Sequence, residues 1–224
     1  MKTKRISNKQ LVLLIFAFLI LSLPLSGCLD SPIELDGVEI REYQGEKLSS
    51  VQDFRENSIN GPQQIKKEDY TLKITGLIDK PTTYTYDEIL SDFQIYKKIV
   101  RLNCVEGWSV DILWEGILLR DIFEQVQPTD KALVVIFHAE DGYTTSMTLE
   151  YLIENDILLA YKMNNVTLPV ERGFPFQLVA ESKWGYKWIK WITEIEVSNN
   201  AGYEGYWEQR GFSNTANLNE SFFG

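Results

Sequence analysis

From Tyr70 onward, turn residues cut the chain into short apolar segments, and this rhythm points to many short strands with a few short helices. Residues 70–75 alternate apolar and polar side chains, and Gly76 ends the run. Asp79 and Pro81 supply turn chemistry. Thr85 is placed to cap a helix through Leu90, with Glu88 as the reciprocal partner of a capping box. Residues 99–103 and 108–114 predict strands. Apolar residues at 117, 118, 119, 122, 123 and 126 have helical spacing, stopped by Pro128. The continuous apolar run 132–137 predicts a buried strand, followed by a turn at Asp141 and Gly142. Thr148 is placed to cap a helix through Glu154, Asn164 and Asn165 mark a turn, and residues 176–180 and 192–197 predict two further strands. The sum is an α+β fold, rich in β.

The start of the chain does not share this pattern. Lys2, Lys4, Arg5 and Lys9 precede the apolar run 11–25, with no acid among them. A basic segment followed by a short apolar core predicts an export signal over residues 1–27. Leu25, Ser26, Gly27 and Cys28 then resemble the lipobox of bacterial and archaeal lipoproteins, which implies cleavage before Cys28 and lipidation of its thiol. The expected location is the outer face of the cell membrane, held by that lipid. Residues 28–53 are mostly polar and acidic and predict a tether, with the folded domain over 54–212 and a C-terminal tail over 213–224.

Composition limits the partners. The 224 residues carry 22 Lys and Arg against 32 Asp and Glu, a net charge of −10. Such a chain is a poor nucleic-acid binder, because phosphate neutralisation needs clustered cations. There are two cysteines. If Cys28 carries lipid, Cys104 is alone, which is uncommon for an exported protein. Its residue type leaves three roles open: an inert core side chain, a reactive thiol or a metal ligand. Lys183, Lys187 and Lys190 stand among Trp184, Trp188 and Trp191. That pattern suits a phosphate with an attached ring system, an ordinary amphipathic segment, or a patch at membrane headgroup depth.

Four motifs decide between these readings by resemblance. They are residues 54–62 (FRENSINGP) followed by 70–76, residues 102–108 (LNCVEGW), residues 173–191 with their KWGYKWIKW end, and GYWE at 205–208 followed by Gly211 and Phe212. In this order they resemble the sulfite oxidase family of molybdopterin-binding oxidoreductases. The CVEGW form is similar to the periplasmic protein-methionine-sulfoxide reductase branch. The resemblance implies a sulfite-oxidase-type fold of β-rich mixed sheets and a molybdenum-molybdopterin (Mo-MPT) cofactor. It implies Cys104 as the metal ligand and Asn57, Trp188, Ile189, Lys190 and Arg172 as cofactor contacts. Gln177 stands where many members have Arg, and Lys187 is the expected compensating cation. Tyr143, with Thr144 and Ser146, is expected on the substrate side, and Tyr143 is expected as a catalytic residue beside Cys104.

The implied reaction is two-electron oxygen-atom transfer. The Arg pair that follows the ligand Cys in many sulfite oxidases is absent, so the expected substrate is a sulfoxide or another sulfur oxide, small or protein-bound. No C-x-x-C-H motif and no spare Cys offers a second redox centre, so electrons pass to or from a separate, membrane-associated redox protein. Family members are usually exported folded on a twin-arginine signal, where this chain has Lys4 and Arg5. The competing reading is a non-catalytic binding lipoprotein that keeps the fold.

Overall fold

The computed structural model describes residues 37–224. The export segment, Cys28 and the predicted cleavage boundary lie outside the described residues. In chain order the elements are β1 (Glu42–Tyr43), β2 (Glu46–Lys47), β3 (Thr71–Gly76), β4 (Thr82–Thr85), α1 (Tyr86–Asp92), β5 (Tyr96–Asn103), β6 (Ser109–Leu118) and α2 (Leu119–Val126). They continue as β7 (Val134–Ala139), β8 (Thr144–Thr148), α3 (Leu149–Glu154), β9 (Leu158–Met163), β10 (Val166–Thr167), β11 (Gln177–Val179) and β12 (Ile192–Ser198).

Two larger sheets organise the described chain. One has the order β10-β9-β6-β5, with β11 also paired to β9, and the other has the order β4-β3-β12-β7-β8. All pairings are antiparallel except β3 with β12, so the second sheet is mixed. A single apolar cluster draws on both sheets and on α2, including Leu72, Ile74, Ile112, Trp114, Ile117, Phe123 and Phe137.

Local sequence chemistry explains the element ends. Thr85 Oγ1 accepts from Glu88 N, and the Thr85 N–H donates back to Glu88 Oε2 at 2.8 Å, which fixes the start of α1. The Thr148 side chain accepts from Tyr151 N at the start of α3. β6 bulges against β9 between Glu115 and Gly116. A Cβ on Gly116 would lie 2.2 Å from Leu159 O, so the bulge needs a residue without a side chain.

Two domain boundaries need correction. Residues 37–53, expected as a tether, belong to the fold. Leu48 and Val51 are buried there, and Ile40 N donates to Asn164 O at 3.0 Å. The fully buried Asn164 side chain accepts from Leu113 N at 3.0 Å and donates to Ser49 O at 2.8 Å. A few apolar anchors and one satisfied buried amide hold a segment whose composition is otherwise polar. The tail over 213–224 also packs down. Phe212 and Phe223 form a β-bridge, Trp184 N donates to Ala216 O at 2.9 Å, and Ala216 is fully buried.

Candidate active site

Cys104 follows the last residue of β5, where the chain makes a tight turn. Cys104 N donates to Trp108 O at 2.9 Å and Gly107 N donates to Cys104 O at 3.0 Å. Gly107 sits at φ +88°, a conformation that costs glycine little. A parallel bridge between Asn103 and Trp184 brings Gly185 against this turn. A Cβ on Gly185 would lie 3.2 Å from Asn103 O and 3.5 Å from Cys104 Cα. The thiol is therefore rigidly placed, and it lines a cavity of about 390 Å³.

Polar groups surround the sulfur loosely. Asn57 Nδ2 lies 3.8 Å from Sγ, and Glu106 Oε2 lies 3.9 Å from it. Glu106 Oε2 accepts from Trp108 Nε1 at 2.9 Å and from Asn57 Nδ2 at 3.2 Å. The Trp108 and Asn57 donors hold the Glu106 carboxyl below its usual range, so it is a carboxylate at neutral pH. Burial pushes the Cys104 thiol up, and the charge of Glu106 adds to the rise. Without a metal this sulfur keeps its proton, whereas a coordinated metal ion displaces it.

Cations collect in another part of the same cavity wall. Arg172 ends a short 3-10 turn, Val170–Arg172. Its Nε donates to Val51 O at 3.2 Å, its Nη2 donates to Phe54 O at 3.1 Å, and its guanidinium lies 4.6 Å from the Phe54 ring centroid. Arg172 thereby fastens the segment that carries Asn57. Lys190 Nζ donates to Glu56 Oε1 at 2.7 Å and to Glu171 O at 3.2 Å. Burial pushes the Lys190 pKa down, and Glu56 opposes the shift. Gly173, at φ +98°, lets Lys190 and Gln177 approach: a Cβ there would lie 2.9 Å from Lys190 Cβ and 3.2 Å from Gln177 Cβ.

Asn57, Cys104, Tyr143, Arg172, Gln177, Trp188, Ile189 and Lys190, predicted from sequence, all line this one cavity. Lys187 does not. Its side chain is fully buried and bonded to Ser146 O, Glu208 and Asn214, so it offers no free cation in place of the missing Arg. The reading of the Trp/Lys segment as a membrane patch fails with it: Lys187, Trp188 and Trp191 are buried, and Lys183 Nζ donates to Thr215 O and Asn217 Oδ1. Thr144 and Ser146 point elsewhere, toward Tyr203: Thr144 Oγ1 accepts from its hydroxyl, and Ser146 Oγ donates to its carbonyl. The Tyr143 hydroxyl donates to Tyr186 O at 2.5 Å, and burial holds its pKa well above the phenol value. Tyr143 therefore offers the cavity a neutral ring rather than a titrating acid.

The donor set tests what this site can hold. Among the described residues no three His, Cys, Asp or Glu side chains gather as a metal cage. A metal at Cys104 would take one soft thiolate from the protein and needs its other ligands from a bound organic group. A cavity with a thiol, flat aromatic walls at Trp108 and Trp188, and cations at buried Arg172 and half-buried Lys190 fits a pterin with a phosphate.

A family model described as "Oxidoreductase molybdopterin binding domain" matches residues 59–207. The chain belongs to this family. As a molybdopterin-binding oxidoreductase it carries molybdenum-molybdopterin, as the four motifs imply. It is 33% identical over 144 residues to the "Uncharacterized oxidoreductase YuiH" of Bacillus subtilis, covering 64% of this chain and 72% of that protein. Its fold is that of the sulfane dehydrogenase SoxCD from Paracoccus pantotrophus, with TM-score 0.60 and 21% identity. That match covers 63% of this chain and 41% of the SoxCD chain. The expected α+β architecture of β-rich mixed sheets and short helices holds.

Sequence reasoning did not assign functions to Glu106, Trp108, Tyr186, Trp207 or Phe212, which also line the cavity. Glu106 and Trp108 are within reach of sequence, since they stand beside Cys104. The other three are brought in by packing of distant segments.

Proposed function

We propose that this chain is a membrane-tethered, extracytoplasmic molybdenum oxidoreductase that reduces a neutral sulfoxide, on a small molecule or on a protein. The observation that carries the substrate reading is the Glu106 carboxylate, 3.9 Å from the Cys104 sulfur. A fixed negative charge beside the reacting centre opposes an anion such as sulfite and tolerates a neutral S=O group. Arg55 is the nearby cation, but Glu56, Glu106, Asp141 and Glu171 line the cavity against Arg55, Arg172 and Lys190.

When bound, the molybdenum-pterin group supplies two-electron oxygen-atom transfer. The chain supplies the rest. Cys104 anchors the metal. Asn57 and Trp108 fix the Glu106 carboxylate. Trp188, Ile189, Lys190, Arg172 and Gln177 orient the pterin and its phosphate. The sulfoxide sulfur gains two electrons, its S–O bond breaks, and the oxygen leaves as water with two protons. The electrons come from a separate redox protein at the membrane. The support for tethering is the basic and apolar start of the chain ending in Cys28.

Expression in a molybdate-replete host tests the reading. The purified protein is expected to contain near-stoichiometric molybdenum and to reduce methyl phenyl sulfoxide with a reduced viologen dye. Absence of molybdenum, which a non-catalytic binding protein predicts, overturns it, as does sulfite oxidation in place of sulfoxide reduction. In the same host, Cys28→Ala is expected to move the protein from the membrane fraction to the soluble fraction. A protein that stays membrane-bound refutes the lipid anchor.

A further inference from the structure

Lys187 and Glu208 are unusual in this fold: both side chains are fully buried, 2.5 Å apart. Burial pushes the Lys187 pKa down, and Glu208 pushes it back. Lys187 Nζ also donates to Ser146 O at 2.9 Å and to Asn214 Oδ1 at 3.1 Å. Glu208 Oε1 also accepts from Thr145 Oγ1 at 2.6 Å, whereas Oε2 is buried without a partner. For stability alone, apolar side chains of similar volume serve as well as such a pair. What the pair adds is direction. It ties the Gly185–Lys187 turn to β8 and to the segment that runs from Tyr203 to Asn214.

Each of these anchors stands one or two residues from an aromatic that lines the cavity: Thr145 from Tyr143, Lys187 from Tyr186, Glu208 from Trp207, and Asn214 from Phe212. The aromatics touch one another. The Phe212 ring centroid is 5.2 Å from that of Tyr186 and 5.1 Å from that of Trp207, and Tyr143 bonds to Tyr186 O. Gly185, next to Tyr186, packs on Cys104. The wall also depends on Gly205, where a Cβ would lie 2.2 Å from Thr144 O.

We propose that Lys187 and Glu208 form a buried clasp that positions the aromatic wall Tyr143, Tyr186, Trp207 and Phe212 beside the Cys104 thiol. Lys187 is a positioning residue, acting through Tyr186 and its neighbours, and not a cofactor contact. The wall gives the substrate an apolar, uncharged surface, so the clasp acts on substrate binding more than on metal retention. Only the kinetic arm of its test rests on the sulfoxide-reductase reading.

The test compares full-length Lys187→Met, Lys187→Arg and the double variant Lys187→Met/Glu208→Leu with the wild type. Protein made without molybdate is treated with iodoacetamide, and alkylation at Cys104 is followed by peptide mass. Release of the wall is expected to speed alkylation about tenfold in Lys187→Met, with Lys187→Arg close to wild type. In protein made with molybdate, Lys187→Met is expected to keep its molybdenum, to raise KM for methyl phenyl sulfoxide about tenfold, and to change kcat far less. Where Lys187→Met does not fold, the double variant, which removes both charges together, is expected to show the same shifts. Unchanged alkylation and KM overturn the clasp. Loss of molybdenum from a folded Lys187→Met also overturns it, since the pair would then act on cofactor retention rather than on substrate binding. A wild type without molybdenum or without sulfoxide reduction defeats the proposed function, and the alkylation arm still decides the clasp.

Discussion

Cys104→Ser is expected to strip molybdenum from the protein and to reduce oxygen-transfer activity by about 100-fold or more, because changes merely adjacent to a metal ligand already cost roughly 10–100-fold. The chemistry is specific to sulfur. A serine hydroxyl is a hard donor that stays protonated, whereas a thiol loses its proton to a soft or high-valent metal. No cage of neighbouring donors can take over: among the described residues, no three potential ligands gather. The fold, by contrast, is expected to survive. Serine is close to isosteric, and the sulfur's polar neighbours lie 3.8 and 3.9 Å away, so little bonding is lost. The expected change in folding stability is under about 1 kcal/mol. Elemental analysis of purified protein and thermal melting of cofactor-free protein check the two halves separately. A serine variant that keeps near-stoichiometric molybdenum would falsify the assignment of this thiol as the metal anchor.

The metal-anchoring role expected of Cys104 is legible in the sequence only through the motif around it. By residue type alone Cys104 was as compatible with an inert core position as with coordination. What the sequence carries well is chemistry that acts over three or four residues. The Thr85 and Glu88 capping box and the Thr148 cap are both present, because a cap bonds to the backbone of its own first turn. The strands over 70–75 and 192–197 were legible from their patterns, but their parallel pairing was not, since register between distant strands is a tertiary property. β9 is not legible in the sequence although LLAYKM is mostly apolar. A short apolar run lying between a helix and an Asn-Asn turn has no periodicity that identifies it as a strand.

The errors share a physical cause. Lys187 reads from sequence as a cofactor contact because a cation among tryptophans suits a phosphate. Whether such a cation faces a ligand or a buried carboxylate depends on Glu208, which is 21 positions away in the chain. Residues 37–53 read as a tether because their apolar content is low, yet Leu48 and Val51 suffice once Asn164 satisfies the backbone they bring in. Phe212, Phe222 and Phe223 likewise gain meaning only where they meet: the Phe222 and Phe223 ring centroids are 4.7 Å apart, and Phe212 stacks on Phe222 and packs tilted against Phe223.

Trp114→Ala carries the largest expected cost to the fold, and it links the core to the site. Trp114 lies on β6 with no exposed surface, and its Nε1 donates to Val100 O at 3.2 Å. Its ring centroid is 6.4 Å from that of Phe54 and 5.7 Å from that of Trp188. Truncation opens a cavity under two residues that line the active site, at a cost of about 3–5 kcal/mol. For a domain of this size each kcal/mol lowers the melting temperature by roughly 2–4 °C, so a fall of about 6–20 °C is expected. Trp114→Phe keeps an aromatic ring and loses mainly the hydrogen bond and some volume, at about 1–2 kcal/mol. Molybdenum retention should follow the same order, because Trp188 loses its support from below in the alanine variant and keeps it in the phenylalanine one. Melting curves and metal content of the two variants together test this link. A Trp114→Ala protein that melts close to wild type would mean that the ring is not the keystone between β6 and the cavity wall. One that melts low but holds its metal fully would mean that the wall around Trp188 is set by the cofactor rather than by the core beneath it.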